Sequence, residues 1–163
     1  MPTVSDTSPI PGLAIISQLE LLHEQFGAVF IPQAVLDELK IETGFRGVPS
    51  IQEAIHEGWL QMRRVGNTRL AQALALELDM DEAETIALAI ELEAEIVILD
   101  EHQGRAQARA MGLKTVGVLG ILLRAKKDGR ISSLRNVLDT LKLEAGFFIA
   151  ENLYQQILQQ AGE

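Results

Sequence analysis

The apolar residues of the chain follow two alternating patterns: short uninterrupted runs, and longer stretches with an apolar residue every three or four positions. The apolar runs occupy residues 28–31 and 96–99, and shorter candidate strands that include polar residues occupy 3–5, 59–62 and 114–116. Strands without regular polar alternation are typical of a sheet buried on both faces. The longer stretches predict helices over residues 13–26, 32–40, 49–55, 70–78, 121–127, 130–143 and 151–160, with a further helix beginning near residue 80. This alternation predicts an α/β fold of three layers, in which helices cover both faces of a central parallel sheet.

The composition fits one globular domain with a sizeable core. The chain has 163 residues, of which 47% are hydrophobic, so we expect a single domain over residues 1–163, with residues 126–163 as a helical extension packed on it. No apolar run approaches the roughly 18 residues of a membrane span. No basic segment followed by an apolar core marks a signal peptide. We therefore expect a cytoplasmic protein with no membrane partner.

The absence of cysteine narrows the possible chemistry. With no cysteine in the chain, disulfides and thiolate metal sites are excluded, which fits a reducing compartment. Any metal would have oxygen ligands, and this favours Mg2+ or Mn2+ over zinc.

Charge is distributed unevenly along the chain. The net charge is −9, but residues 1–103 carry −13 and residues 104–163 carry +4. A negative protein is a poor candidate for nucleic-acid binding. A basic C-terminal part beside an acidic site would nevertheless suit a polyanion whose phosphate is held through metal ions. An ordinary solvated surface explains the same distribution equally well.

Acidic residues follow the predicted strands where a parallel sheet places its chemistry. Asp6 ends the first strand, and Asp100 and Glu101 follow the run at 96–99, at the carboxyl ends where open α/β sheets bind ligands. The helix near residue 80 opens with three more acids: Asp81, Glu82 and Glu84. Carboxylates gathered at one edge raise each other's pKa unless a cation offsets their charge. The pattern therefore predicts a divalent-cation site that activates water and neutralises charge on a phosphate.

Each acid also has a structural explanation. Asp6 and Asp100 are suited to cap the helices that follow them. Glu38 is as easily a solvated helix residue, and acids near residue 80 are favoured by the helix dipole. The hypothesis rests on their joint occurrence at strand ends and helix starts.

Taken in order, these motifs resemble the PIN domain, and within it the VapC-like branch. They are Asp-Thr-Ser at residues 6–8, Asp-Glu-Ala-Glu at residues 81–84 and Asp-Glu-x-x-Gly-Arg at residues 100–105. Ile-Pro at residues 31–32, with Val35 and Glu38 after it, matches a second acidic segment, and a Gly-x-x-Gly turn stands at residues 117–120. The resemblance covers about residues 1–125. This chain departs from many relatives in having Leu99 before the last acidic pair and glutamate as the third acid.

The resemblance implies a three-layer α/β/α fold and a Mg2+- or Mn2+-dependent endoribonuclease that cuts single-stranded RNA. It also implies a toxin silenced by a small antitoxin protein, and a homodimer. The residues at 153–158 are either core or the face of such a partner. The alternative is a degenerate PIN module that binds a protein or RNA without cutting it.

Site residues carry over from the resemblance position by position. Asp6 is the first acid and Glu38 the second; Glu82 or Glu84 is the third; Asp100 is the fourth, with Glu101 as its competitor. The implied metal ligands are Asp6, Glu82 and Asp100. Three neighbours are secondary candidates: Thr7, Ser8 and Arg105, the last of which would contact phosphate or pair with Glu101.

Overall fold

A five-stranded, wholly parallel sheet forms the centre of the molecule, which is seen here in a computed structural model that describes residues 2–163. The strands are β1 Thr3–Ser5, β2 Val29–Ile31, β3 Leu60–Met62, β4 Ile96–Ile98 and β5 Lys114–Val116. Their order across the sheet is β3-β2-β1-β4-β5. Strand β1 is therefore central. Strands β2 and β3 extend the sheet on one side of it, and β4 and β5 extend it on the other. The predicted α/β fold is confirmed.

Within residues 2–163, ten α-helices flank the sheet. They are α1 Pro9–Ile15, α2 Glu20–Phe26, α3 Gln33–Glu38, α4 Val48–Glu57, α5 Thr68–Leu74, α6 Met80–Glu91, α7 His102–Ala110, α8 Val118–Lys127, α9 Leu134–Ala145 and α10 Glu151–Gln160. A short 3-10 turn, Ile41–Thr43, follows α3. Within residues 2–163, no helix is long and apolar enough to cross a membrane.

Strands β2 and β4 are apolar at every position because both faces of the sheet are covered. In β4 and the residue after it, Val97 and Leu99 pack into one buried cluster while Ile98 packs into the other. Successive strand residues point to opposite faces, so a sheet between two helical layers needs apolar residues at each position. Helices α5, α6 and α7 cover one face, and α1, α2, α4, α8, α9 and α10 supply the core of the other.

Several helix boundaries differ from the periodicity. The stripe over residues 70–78 predicts one helix, but α5 ends at Leu74. The apolar stripe over residues 13–26 predicts one helix, but the structure has two, α1 and α2, because Ser17 has a left-handed backbone (φ 60°) that interrupts the turn. Helix α9 begins at Leu134, four residues later than the stripe suggests, where the hydroxyl of Ser133 accepts a hydrogen bond from the backbone N–H of Asn136. Apolar spacing records which face is buried but does not fix where backbone hydrogen bonding begins.

The C-terminal helices share a core with the first half of the chain. Leu138 and Leu141 of α9, and Tyr154, Ile157 and Leu158 of α10, belong to the same buried cluster as α1 and α2. The apolar stripe of α10 is therefore mostly core, with Leu153 left 39% exposed.

Several basic side chains of the C-terminal part are neutralised locally. Four of them form ion pairs: Lys114 with Glu95, Arg124 with Asp128, Lys126 with Glu163, and Arg130 with Glu24. Arg135 and Lys142 instead lie over the ring of Tyr154. The positive charge of residues 104–163 is thus spread over separate contacts.

Candidate metal centre

The carboxyl ends of β1 and β4 form the point where the strand order reverses. The two strands are neighbours, with Ser5 opposite Ile98, and the backbone N–H of Asp6 donates to the carbonyl of Ile98 at 2.9 Å. Open α/β sheets bind ligands at such a switch point. Asp6 and Asp100 lie on either side of it.

Asp6 is a buried carboxylate with an unsatisfied oxygen. It is 2% exposed, and neither its Oδ1 nor the Oγ1 of the adjacent Thr7 has a hydrogen-bond partner in the part of the chain that the structure describes. Burial, followed by the negative charges of Asp81 and Glu82, raises the pKa of Asp6 to about 8. No Lys or Arg side chain within residues 2–163 forms an ion pair with it. A buried acid in this state calls for a compensating cation.

The start of α6 supplies the acids that face Asp6. One carboxylate oxygen from each of Asp79, Asp81 and Glu82 lies within 4.8 Å of the others. Glu82 is 6% exposed, and burial, together with the charges of Asp79, Asp81 and Glu101, raises its pKa to about 7. These three carboxylates and Asp6 are hereafter called the acidic cluster.

Gly104 on α7 leaves room for the Glu82 carboxylate. A Cβ at position 104 would lie 2.5 Å from Glu82 Oε2 and 3.1 Å from a methyl of Leu99. The glycine of the Asp-Glu-x-x-Gly-Arg motif therefore allows α7 to pass directly over Glu82.

Asp100 accepts hydrogen bonds from two segments and lies near the positive charge of Arg105 on a third. Its Oδ1 accepts from the backbone N–H of Val118 at 2.9 Å, at the start of α8, and its Oδ2 accepts from Ser8 Oγ at 3.2 Å. Burial raises the pKa of Asp100 although both hydrogen bonds and the nearby charge of Arg105 oppose the rise. Gly117 permits this packing, since a Cβ there would lie 2.5 Å from Asp100 Oδ1 and 3.1 Å from Arg105 Nη1.

Some of the other predicted site residues lie next to the site, and others lie elsewhere. Ser8 binds Asp100, and Glu101 raises the pKa of both Glu82 and Asp100, so these belong to the same region. Glu84 Oε1 instead accepts from the backbone N–H of Ala34 at 3.1 Å, at the first turn of α3. Glu38 is exposed at the end of α3 and, within the described residues, has no side-chain hydrogen bond or ion pair.

Two members of the acidic cluster were not selected from the sequence. The motif pointed to Glu82 or Glu84 as the third acid, and Asp81 was noted only as one of the helix-start acids. Asp79, the residue before α6, carried no prediction. The available signal was the sequence Asp-Met-Asp-Glu, in which three acids fall within one helical turn of a helix start.

These residues suit a hard divalent cation. The donors are all carboxylate oxygens, the class that Mg2+ and Mn2+ prefer, and the cluster holds one unsatisfied buried oxygen and no basic partner. Asp6, Asp79, Asp81 and Glu82 would hold the ion. The expected set Asp6, Glu82 and Asp100 remains a prediction.

Comparisons with known proteins agree with this architecture. A family model described as DUF3368, PIN domain, matches residues 2–163. Comparison with curated proteins gave no match. Among solved structures, a PilT N-terminus domain protein from the archaeon Sulfolobus solfataricus P2 is similar, with a TM-score of 0.53 and 21% sequence identity over 77% of this chain and 93% of that one. At that identity the similarity is one of fold, while the family match spans nearly the whole sequence. The chain therefore belongs to the PIN domain family.

Proposed function

We propose that this protein is a Mg2+- or Mn2+-dependent endoribonuclease that cleaves single-stranded RNA. PIN domains are typically metal-dependent nucleases, and the motifs at residues 6–8, 81–84 and 100–105 resemble those of the VapC-like branch. The observation that carries the proposal is the buried Asp6 carboxylate, which has an unsatisfied oxygen and faces Asp81 and Glu82 at the switch point of the sheet.

A bound divalent cation would supply a nucleophilic water at neutral pH and offset the charge that builds on the phosphate. The chain's own residues then have separate tasks. Asp6, Asp79, Asp81 and Glu82 would hold the ion. Asp100 accepts hydrogen bonds from Val118 and Ser8 and would form one wall of the substrate site. Arg105 forms no ion pair within residues 2–163 and is free to contact the phosphate.

Metal binding is tested by thermal unfolding with and without millimolar Mn2+. A ligand present at one hundred times its dissociation constant stabilises the folded state by about 2.7 kcal/mol, which is roughly 5–10 °C for a domain of this size. We expect that rise in the wild type, a much smaller one in Asp6→Asn, and an undiminished rise in Asp37→Asn, an exposed control. Equal rises in wild type and Asp6→Asn would place the metal elsewhere.

Cleavage is tested on the same three proteins with a labelled single-stranded RNA. We expect Mn2+-dependent cutting by the wild type and Asp37→Asn, and none by Asp6→Asn. Cutting by Asp6→Asn at the wild-type rate would refute the assignment.

A binding module that does not cut is the alternative, and one observation favours it. Both oxygens of Asp100 already accept hydrogen bonds, one of them as the cap of α8, so Asp100 has a structural role without any metal. RNA binding without Mn2+-dependent cleavage, at any concentration of metal, would support this alternative.

The toxin role, the antitoxin and the homodimer rest on the VapC-like motifs alone. We propose that expression of the wild type arrests growth and that expression of Asp6→Asn does not. Arrest by both proteins would separate any toxicity from the acidic cluster.

A further inference from the structure

A groove of about 700 Å³ begins at the site and runs away from it along the C-terminal helices. We call it the C-terminal groove. Its lining includes Ser8, Asp100, Glu101 and Arg105, together with Phe147, Phe148 and Leu153 of the C-terminal part. No residue of the acidic cluster lines the groove, but Asp100 follows β4, the strand beside the one that ends at Asp6, so the groove adjoins the candidate metal centre.

Phe148 is an exposed aromatic side chain on a segment that is anchored at both sides. Gly146 ends α9 with a left-handed backbone (φ 66°). Phe147 then packs against the core and Ile149 is 5% exposed, while Phe148 between them is 85% exposed. The ring is therefore presented to solvent by a fixed backbone. An exposed ring on an anchored backbone is available to stack on the flat face of a ligand.

The charged residues of the groove lie close to one another. Asp100, Glu101 and Arg105 are its charged residues, and the remaining lining is uncharged. A nucleotide has the complementary arrangement, with an anionic phosphate at one end and a flat, largely apolar base at the other. The two acids repel phosphate unless a cation offsets them, so binding here should require a divalent metal.

We propose that the C-terminal groove is a nucleotide subsite, in which Phe148 stacks on the base adjoining the phosphate that Arg105 contacts. This inference rests on the proposed function, since it assigns one nucleotide of the RNA a binding position beside the acidic cluster. Unpaired bases stack on aromatic side chains with little dependence on sequence. The subsite therefore selects for single-stranded over paired nucleic acid.

The first test requires no cleavage. Trp59 is the chain's only tryptophan and is 6% exposed, so Phe148→Trp places a second, exposed fluorophore in the groove. We expect adenosine 5′-monophosphate with Mg2+ to quench Phe148→Trp fluorescence saturably. Ribose 5-phosphate, which lacks the base, should not quench it. Absence of saturable quenching by the nucleotide, or equal quenching by the sugar phosphate, would overturn the proposal.

The second test compares two equally exposed apolar residues. Leu143 is also 85% exposed and lies outside the groove lining. We expect Phe148→Ala to weaken the apparent affinity for a short single-stranded RNA roughly 5- to 100-fold, Phe148→Tyr to restore it, and Leu143→Ala to leave it unchanged. Equal affinities of Phe148→Ala and Leu143→Ala would refute the subsite.

These results separate the subsite from the activity. Nucleotide quenching without any RNA cleavage would support the subsite and contradict the proposed ribonuclease activity. RNA cleavage that is unchanged by substitution of Phe148 would support the activity and contradict the subsite. Size-exclusion chromatography of Phe148→Ala gives a third outcome. Conversion of a dimer to a monomer would mean that this face contacts a second copy of the chain, and it would overturn the nucleotide assignment.

Discussion

Replacing Asp6 with asparagine should stabilise the protein when no metal is present. The carboxylate is 2% exposed and faces Asp81 and Glu82, so burial and those charges raise its pKa to about 8. The unfolded chain loses this proton near pH 4. Between about pH 4 and pH 8 the folded state therefore binds more protons than the unfolded state, and its stability falls as the pH rises.

The size of the effect follows from the shift in pKa. A rise of about four units from 3.8 at ~1.4 kcal/mol per unit corresponds to at most about 6 kcal/mol at pH 8 and above. Relaxation of the site and entry of water will reduce this to a few kcal/mol. Asparagine keeps the size and the polar atoms of the side chain but carries no charge at any pH in this range.

The assay is urea unfolding in EDTA at intervals from pH 5 to pH 9, on wild type, Asp6→Asn and the exposed control Asp37→Asn. We expect the wild type and the control to lose stability as the pH rises and Asp6→Asn to lose much less, so that the variant is the more stable protein at pH 8. Adding Mn2+ should restore the wild type at high pH and leave Asp6→Asn little changed.

Parallel curves for wild type and Asp6→Asn would refute the reasoning. That result would mean that Asp6 ionises in the folded protein without penalty, and the case for a compensating cation at this carboxylate would be lost.

Three other substitutions test the surroundings of the site and the C-terminal helices. Gly104→Ala should gain up to about 1 kcal/mol of helix propensity. It should nevertheless lose most of the Mn2+-induced rise in Tm, because the new methyl displaces the Glu82 carboxylate. Adding Glu82→Asp to the same protein shortens that side chain and should recover part of the rise. Glu84→Ala should cost about 1 kcal/mol in urea unfolding, because it removes the acceptor at the start of α3, and should keep the full Mn2+ response; a lost response would make Glu84 a ligand. Tyr154→Phe should also cost about 1 kcal/mol, since the hydroxyl donates to Asp139 at 2.6 Å, and an unchanged unfolding curve would show that this bond adds nothing to the packing of α10.

The sequence determined the architecture because each strand carries its own signature. A strand between two helical layers must be apolar at each position, and the runs at 28–31 and 96–99 are therefore recognisable without any knowledge of their neighbours. The same holds for Asp6 and Asp100. Each is adjacent in sequence to its strand, so placing the strands also placed both acids at one edge of the sheet.

The composition of the site depended on tertiary structure. Asp81, Glu82 and Glu84 look alike in sequence, but the packing of α6 against β1 and α3 sends Asp81 and Glu82 toward Asp6 and Glu84 to the backbone of Ala34. Local spacing places Glu82 and Glu84, two residues apart, on opposite sides of the helix. It does not show which side faces Asp6, because that depends on contacts with residues about 50 or more positions away.

The same reason explains what else the sequence left undecided. The hydrogen bond from Ser8 to Asp100 spans 92 residues, so local patterns do not predict it. The left-handed backbone at Ser17 and the exposure of Phe148 likewise leave no signal in the apolar spacing. Hydrophobic periodicity and motif order fixed the fold and the edge at which the acids meet. Which carboxylates are buried, unsatisfied and close enough to share a cation was decided only when the helices packed, because burial and electrostatic coupling depend on distances in space rather than in sequence.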